Sequence, residues 1–119
     1  MMENILKIKS YEFAIRIVKL SQFLNKEKKE RVLSKQILRS GTAVGALIRE
    51  AEFDQSKADF IAKMSIALKE ANETSYWLSL LKDTGYLTLE QFNSIENEIT
   101  ELIKLLISTV KTAKKNIIK

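Results

Sequence analysis

An all-α fold follows from three features of the 119-residue chain. Proline is absent and glycine occurs only three times, so little interrupts a helix. Four segments repeat apolar residues at steps of three and four, the spacing of one helix face. Short polar stretches separate those segments. Together they predict one domain, an antiparallel up-down-up-down four-helix bundle.

The first helix is expected over residues 7–25, with Tyr11, Ala14, Ile15, Val18, Ser21 or Gln22, and Leu24 as its core stripe. Residues 25–29 hold no apolar side chain and read as a connection. A second helix begins at about residues 27–31 and ends at Phe53. Its main stripe is Leu33, Gln36, Ile37, Ser40, Val44, Leu47 and Ala51. Thr42, Gly45, Ala46, Arg49 and Phe53 fall on the far side. Gly41 and Gly45 stand four apart, a spacing that lets two helix backbones approach closely. Each glycine costs about 1 kcal/mol against alanine in a helix interior, so a packing reason is expected.

Ser56 lies three residues before Asp59, an approximate capping box that opens a third helix over residues 57–84. Ile61, Met64, Leu68, Ala71, Ser75 and Leu78 form its inner stripe. Asp59, Ile66, Glu70, Glu73 and Trp77 form the outer one, with Leu80 nearby. Gly85 suits a helix C-cap. Thr88 and Gln91 make a fuller capping box for a fourth helix over residues 88–116. Its stripe is Phe92, Ile95, Ile99, Leu102, Leu106, Val110, Ala113 and Ile117. Acidic residues lie early and Lys111, Lys114 and Lys115 late, the order that suits the helix dipole.

The composition removes most chemistries. There is no cysteine and no histidine, hence no thiolate, no imidazole base and no imidazole ligand. No Gly-rich phosphate loop is present. Glu50, Glu52, Glu70 and Glu73 lack the histidines of a bundle di-metal site. No enzyme activity, metal or cofactor is expected. Glu3, Lys7 and Lys9 interrupt the first ten residues, unlike a signal peptide. No segment reaches the roughly 20 apolar residues that span a bilayer. A cytoplasmic protein without a membrane partner is expected.

The net charge of +5 is unevenly placed. Residues 1–35 hold nine Lys/Arg against four Asp/Glu, whereas residues 36–85 hold six against seven. A polyanion partner would account for this asymmetry, as would a solvated lysine-rich surface. The candidate contacts to RNA or DNA are Lys26, Lys28, Lys29, Arg31 and Lys35. Lys111, Lys114, Lys115 and Lys119 form a second group. No base-stacking aromatics are interleaved, so binding would act on phosphates and shape. The alternative is a structural or protein-interaction module with a protein partner.

Self-association is expected from the second helix. Between Arg39 and Arg49 it carries no charge on any face, unlike a surface helix. Thr42, Gly45, Ala46, Arg49 and Phe53, with Ile66, Glu70, Glu73 and Trp77 of the third helix, form the candidate subunit contact. The two surfaces differ, so the contact is head-to-tail, and a closed head-to-tail contact makes a ring. Arg39 and Arg49 are expected to pair with carboxylates such as Glu70 and Glu73, within or between subunits, the alternative being that one arginine is free for an anionic ligand.

Two long runs carry a family resemblance. Residues 33–51, LSKQILRSGTAVGALIREA, and residues 56–74, SKADFIAKMSIALKEANET, resemble the second- and third-helix signatures of a bacterial four-helix-bundle family. That family includes proteins encoded in intervening sequences of 23S ribosomal RNA genes. The following LLKDTGYL, residues 80–87, also fits, and the resemblance covers nearly the whole chain. It implies a left-handed antiparallel bundle assembled as a homopentameric ring. A relative, the accessory protein of diversity-generating retroelements, binds nucleic acid and a reverse transcriptase. Many members carry a proline near the second helix, which this chain lacks.

Overall fold

A computed structural model describes residues 2–118, with side chains described for residues 4–116. Four helices follow one another: α1 (Met2–Lys26), α2 (Val32–Ala51), α3 (Lys57–Asp83) and α4 (Leu89–Ile118). No strand occurs among the described residues. The bundle measures 51 × 21 × 20 Å. Each helix packs on the next, and α4 packs back on α1, while the α1 and α3 backbones stand apart on a diagonal.

Local chemistry sets the helix ends. Lys29 takes the left-handed conformation, with φ of 56°, and turns the chain out of α1. Glu30 then caps α2: its carboxylate accepts the Ser34 N–H at 2.9 Å and the Val32 N–H at 3.3 Å. The second helix therefore starts at Val32, later than expected. The Ser56 hydroxyl accepts the Asp59 N–H at 3.0 Å, as the spacing predicted. Thr88 and Gln91 cap each other at 2.9 and 3.1 Å. Gly85, at φ of +87°, closes α3 in a Schellman motif: Gly85 N–H donates to the Lys82 carbonyl and Tyr86 N–H to that of Leu81.

The core corrects the first-helix stripe. Leu6, Phe13, Ile17, Leu20 and Leu24 are the buried apolar residues of α1, joined by Ser10 and Ser21. Tyr11, Ile15 and Val18, expected inside, are exposed together with Ile8. Periodicity could not decide this, because α1 carries two apolar stripes, each at helical spacing. The inner one holds Phe13, Ile17 and three leucines, all part of the one hydrophobic core.

In α2 the buried set is Ser34, Ile37, Ser40, Gly41, Val44, Ile48 and Ala51, and Gln36 is exposed rather than inward. In α3, Met64, Ala71 and Leu78 are buried as expected. Ala67, Thr74 and Leu81 join them, and Ile61, Leu68 and Ser75 are only half-buried. The α4 stripe from Ile95 to Ala113 is buried; Phe92 is half-buried, and the Ile117 side chain lies outside the described residues.

The two α2 glycines have a common cause. A Cβ on Gly41 would lie 2.8 Å from both Cγ atoms of Ile17, and one on Gly45 would lie 3.3 Å from the Ser10 carbonyl oxygen. Both face α1, so the close approach is made within the chain. Ile17 is β-branched and stiff at χ1, so it yields poorly.

Gly41→Ala should therefore destabilise the fold by about 1–3 kcal/mol through overpacking, despite a helix-propensity gain of about 1 kcal/mol. Combined with Ile17→Ala, it should cost at least about 1 kcal/mol less than the sum of the single changes. Urea unfolding of the four proteins measures this. Additivity would show that the two side chains do not meet.

Candidate nucleic-acid interface and subunit contact

The bundle has two chemically different ends. One gathers Lys7, Glu52, Asp54, Lys57, Phe60, Thr112 and Asn116 around a cavity of about 600 Å³. The other brings Lys19, Leu20 and Phe23 of α1 beside Leu87, Thr88 and Gln91. Lys26, Lys28, Lys29, Arg31 and Lys35 sit at the second end, and all five are exposed. Lys111, Lys114 and Lys115, also exposed, sit on the last turns of α4 at the first end. The two basic groups are thus far apart along the 51 Å length of the bundle. Lys119 lies outside the described residues.

Many carboxylates are occupied elsewhere. Lys7 pairs with Glu52 at 3.0 Å, Lys9 with Glu101 at 3.2 Å, and Arg16 with Glu98. Lys63 reaches Asp54 at 3.3 Å and Glu50 at 3.7 Å. These pairs tie neighbouring helices together. Among the described residues, none of the eight clustered lysines and arginines joins an ion pair. Lys28 lies over the Phe23 ring at 5.8 Å. Glu30, the carboxylate nearest Arg31 in sequence, is held by backbone N–H groups of α2.

The candidate contact residues divide between two surfaces. On α2, Thr42 and Gly45 are half-buried against α1, whereas Ala46, Arg49 and Phe53 are exposed. Phe53 is 78% exposed. With Tyr11 and Ala14 they line a groove of about 530 Å³ between α1 and α2. Arg49 lies over the Tyr11 ring at 5.6 Å and has no ion-pair partner among the described residues. On α3, Ile66 is exposed and Trp77 half-buried, its ring edge-on to exposed Tyr76 at 5.0 Å.

Glu70 and Glu73 pair with Arg39 of the same chain. The guanidinium donates to both Glu70 oxygens, at 3.3 and 3.4 Å, and to Glu73. Trp77 Nε1–H donates to Glu73 at 3.0 Å. Beneath them the Thr74 hydroxyl donates to the Glu70 carbonyl at 2.8 Å and lies 2.9 Å from the Ser40 hydroxyl. Of the alternatives read from the sequence, pairing within the subunit is the one observed for Arg39.

The outer stripe of α1 is the surface that sequence reasoning misplaced. Its signal was present: Ile8, Tyr11, Ile15 and Val18 at steps of three, four and three, beside a second stripe led by Phe13.

The Trp77 hydrogen bond is the main cause that holds the Glu73 carboxyl below its ordinary range; burial opposes it, and the Arg39 contacts add to the lowering. The lowered folded-state pKa adds stability above the unfolded pKa, lost as pH falls through the folded value. Trp77→Phe should move the Glu73 titration, followed by carboxyl NMR, upward and flatten the loss of stability on acidification. An unchanged midpoint would refute the assignment.

No curated protein matches the chain. A solved structure does, that of a protein of unknown function from the S23 ribosomal protein family of Bacteroides thetaiotaomicron VPI-5482. The two are 64% identical, with a TM-score of 0.92 over 93% of this chain and 99% of that one. The family model described as 23S rRNA-intervening sequence protein matches residues 2–108, nearly the full length, with the four-helix architecture just described. The chain belongs to the 23S rRNA-intervening sequence protein family.

Proposed function

We propose that this protein is a non-enzymatic, cytoplasmic homo-oligomer that binds RNA or DNA through its basic ends. One observation carries the nucleic-acid part. Eight lysines and arginines stand exposed in two groups without ion pairs among the described residues, while many carboxylates are engaged between helices. A polyanion is the partner that such a surplus favours. With no reading motif, the contacts would be to phosphates, so sequence preference would be weak. No helix among the described residues is long and apolar enough to cross a membrane.

The assembly part draws support from the exposed apolar surface. Monomers rarely leave a contiguous patch like that of α1 and the α1–α2 groove open to water. Family resemblance favours five subunits in a head-to-tail ring. In such a ring the two basic groups would be repeated as a rim at each end.

A second reading has its own support in the same apolar surface: a structural or protein-interaction module that takes a protein partner and no nucleic acid. Fluorescence anisotropy with short RNA and DNA duplexes across a salt series separates the two. For the nucleic-acid reading, affinity should fall steeply with salt. Replacing Lys28, Lys29, Arg31 and Lys35 with glutamine should reduce the slope by about 0.9 for each lost phosphate contact. Replacing Lys111, Lys114 and Lys115 should reduce it separately, because that group lies at the opposite end. No binding by the native protein at low salt would favour the interaction module.

A further inference from the structure

The outer face of α1 is left largely open within the chain, with Arg49 of α2 over the Tyr11 ring. Ile8, Tyr11, Ile15 and Val18 are all exposed, Tyr11 at 56%. Their spacing is that of the a and d positions of a coiled-coil seam. On the diagonal of the bundle, α3 presents a second exposed ridge, Ile66 and Tyr76, with Lys69 between them.

Charge and height match the two faces. Glu12 flanks the α1 stripe, and both it and Lys69 are exposed. Neither joins an ion pair among the described residues, although Lys69 acts on Glu73 through space. Both helices leave the end of the bundle that holds Lys7, Asp54 and Lys57. At 1.5 Å per residue, Glu12 lies about 15 Å from the start of α1, and Lys69 about 18 Å from the start of α3. Ile8 to Val18 spans heights of about 9–24 Å, and Ile66 to Tyr76 about 13–28 Å. Copies related by rotation about an axis along the bundle keep one direction, so these heights coincide between neighbours. Within a chain the α1 and α3 backbones stand apart on the diagonal, with Glu12 and Lys69 both exposed, so the two can meet only between copies.

We infer that the outer stripe of α1 seats on the α3 ridge of a second copy, with Glu12 paired to Lys69 of that copy. The inference rests on the homo-oligomer proposed above and names its contact. It adds α1, the helix whose apolar face the bundle leaves bare, to the contact expected from α2 and α3.

Light scattering on a sizing column over a concentration series tests it. Ile15→Glu places a charge in the seam at an exposed position, so helicity should persist while the particle falls to the 13.7 kDa of one chain. Glu12→Lys and Lys69→Glu should each raise the dissociation midpoint, by up to about fivefold per contact. The double reversal should restore it. A native protein that runs as a single chain would overturn both the oligomer and this contact. A native oligomer indifferent to Ile15→Glu would overturn the contact alone. Dissociation by Ile15→Glu without rescue by the double reversal would overturn α3 as the surface that receives α1.

Discussion

The close approach of α1 to α2 is the constraint on which the rest of the structure depends. Gly41 lets Ile17 lie where any larger residue would put a Cβ 2.8 Å from it, and Gly45 eases the approach of the Ser10 backbone, whose carbonyl oxygen would lie 3.3 Å from a Cβ there. Two glycines in one helix cost about 2 kcal/mol of propensity, so the packing they allow must return more. It fixes the rotation of α1 about its own axis. Phe13, Ile17 and Leu20 turn into the core, and Ile8, Tyr11, Ile15 and Val18 turn out.

Polar contacts hold that arrangement in register. Ser21 and Ser34 lie 2.8 Å apart in the buried seam of α1 and α2, and Asn25 Nδ2 donates to Ser34 at 3.1 Å. At the other end of the same seam Lys7 meets Glu52. Across the opposite seam, Thr74 and Ser40 pair beneath the Arg39 cluster. Buried hydroxyls satisfied this way penalise a slip of one helix past another, because each slip leaves a donor unpaired. The exposed ion pairs add little stability individually. Their consequence is electrostatic: with many carboxylates engaged between helices, the surplus positive charge is left at the two ends.

Much of the fold was legible because α4 and both capping boxes follow local rules. Thr88 with Gln91, and Ser56 with Asp59, needed only neighbours in sequence, and the α4 stripe has one clear apolar face. The face of α1 was not legible. Two stripes compete there, and the choice depends on Gly41 and Gly45, which lie some 25 residues further on in the chain. The start of α2 was missed because Glu30 caps the backbone from outside the helix, a role better known for Ser, Thr, Asp and Asn. For the candidate site, the basic groups could be found by counting charges. Their separation to opposite ends required the topology, as did the pairing of Arg39 inside the chain.

The central claim is that the outer face of α1 is covered in the native protein by another copy. The chain contains no cysteine, so single cysteines report accessibility without interference. Maleimide labelling of Ile15→Cys should be slow in the assembled protein and speed up on dilution below the dissociation midpoint. Lys114→Cys, on the basic end of α4, should label rapidly throughout. Equally fast labelling of both positions at every concentration would contradict the account.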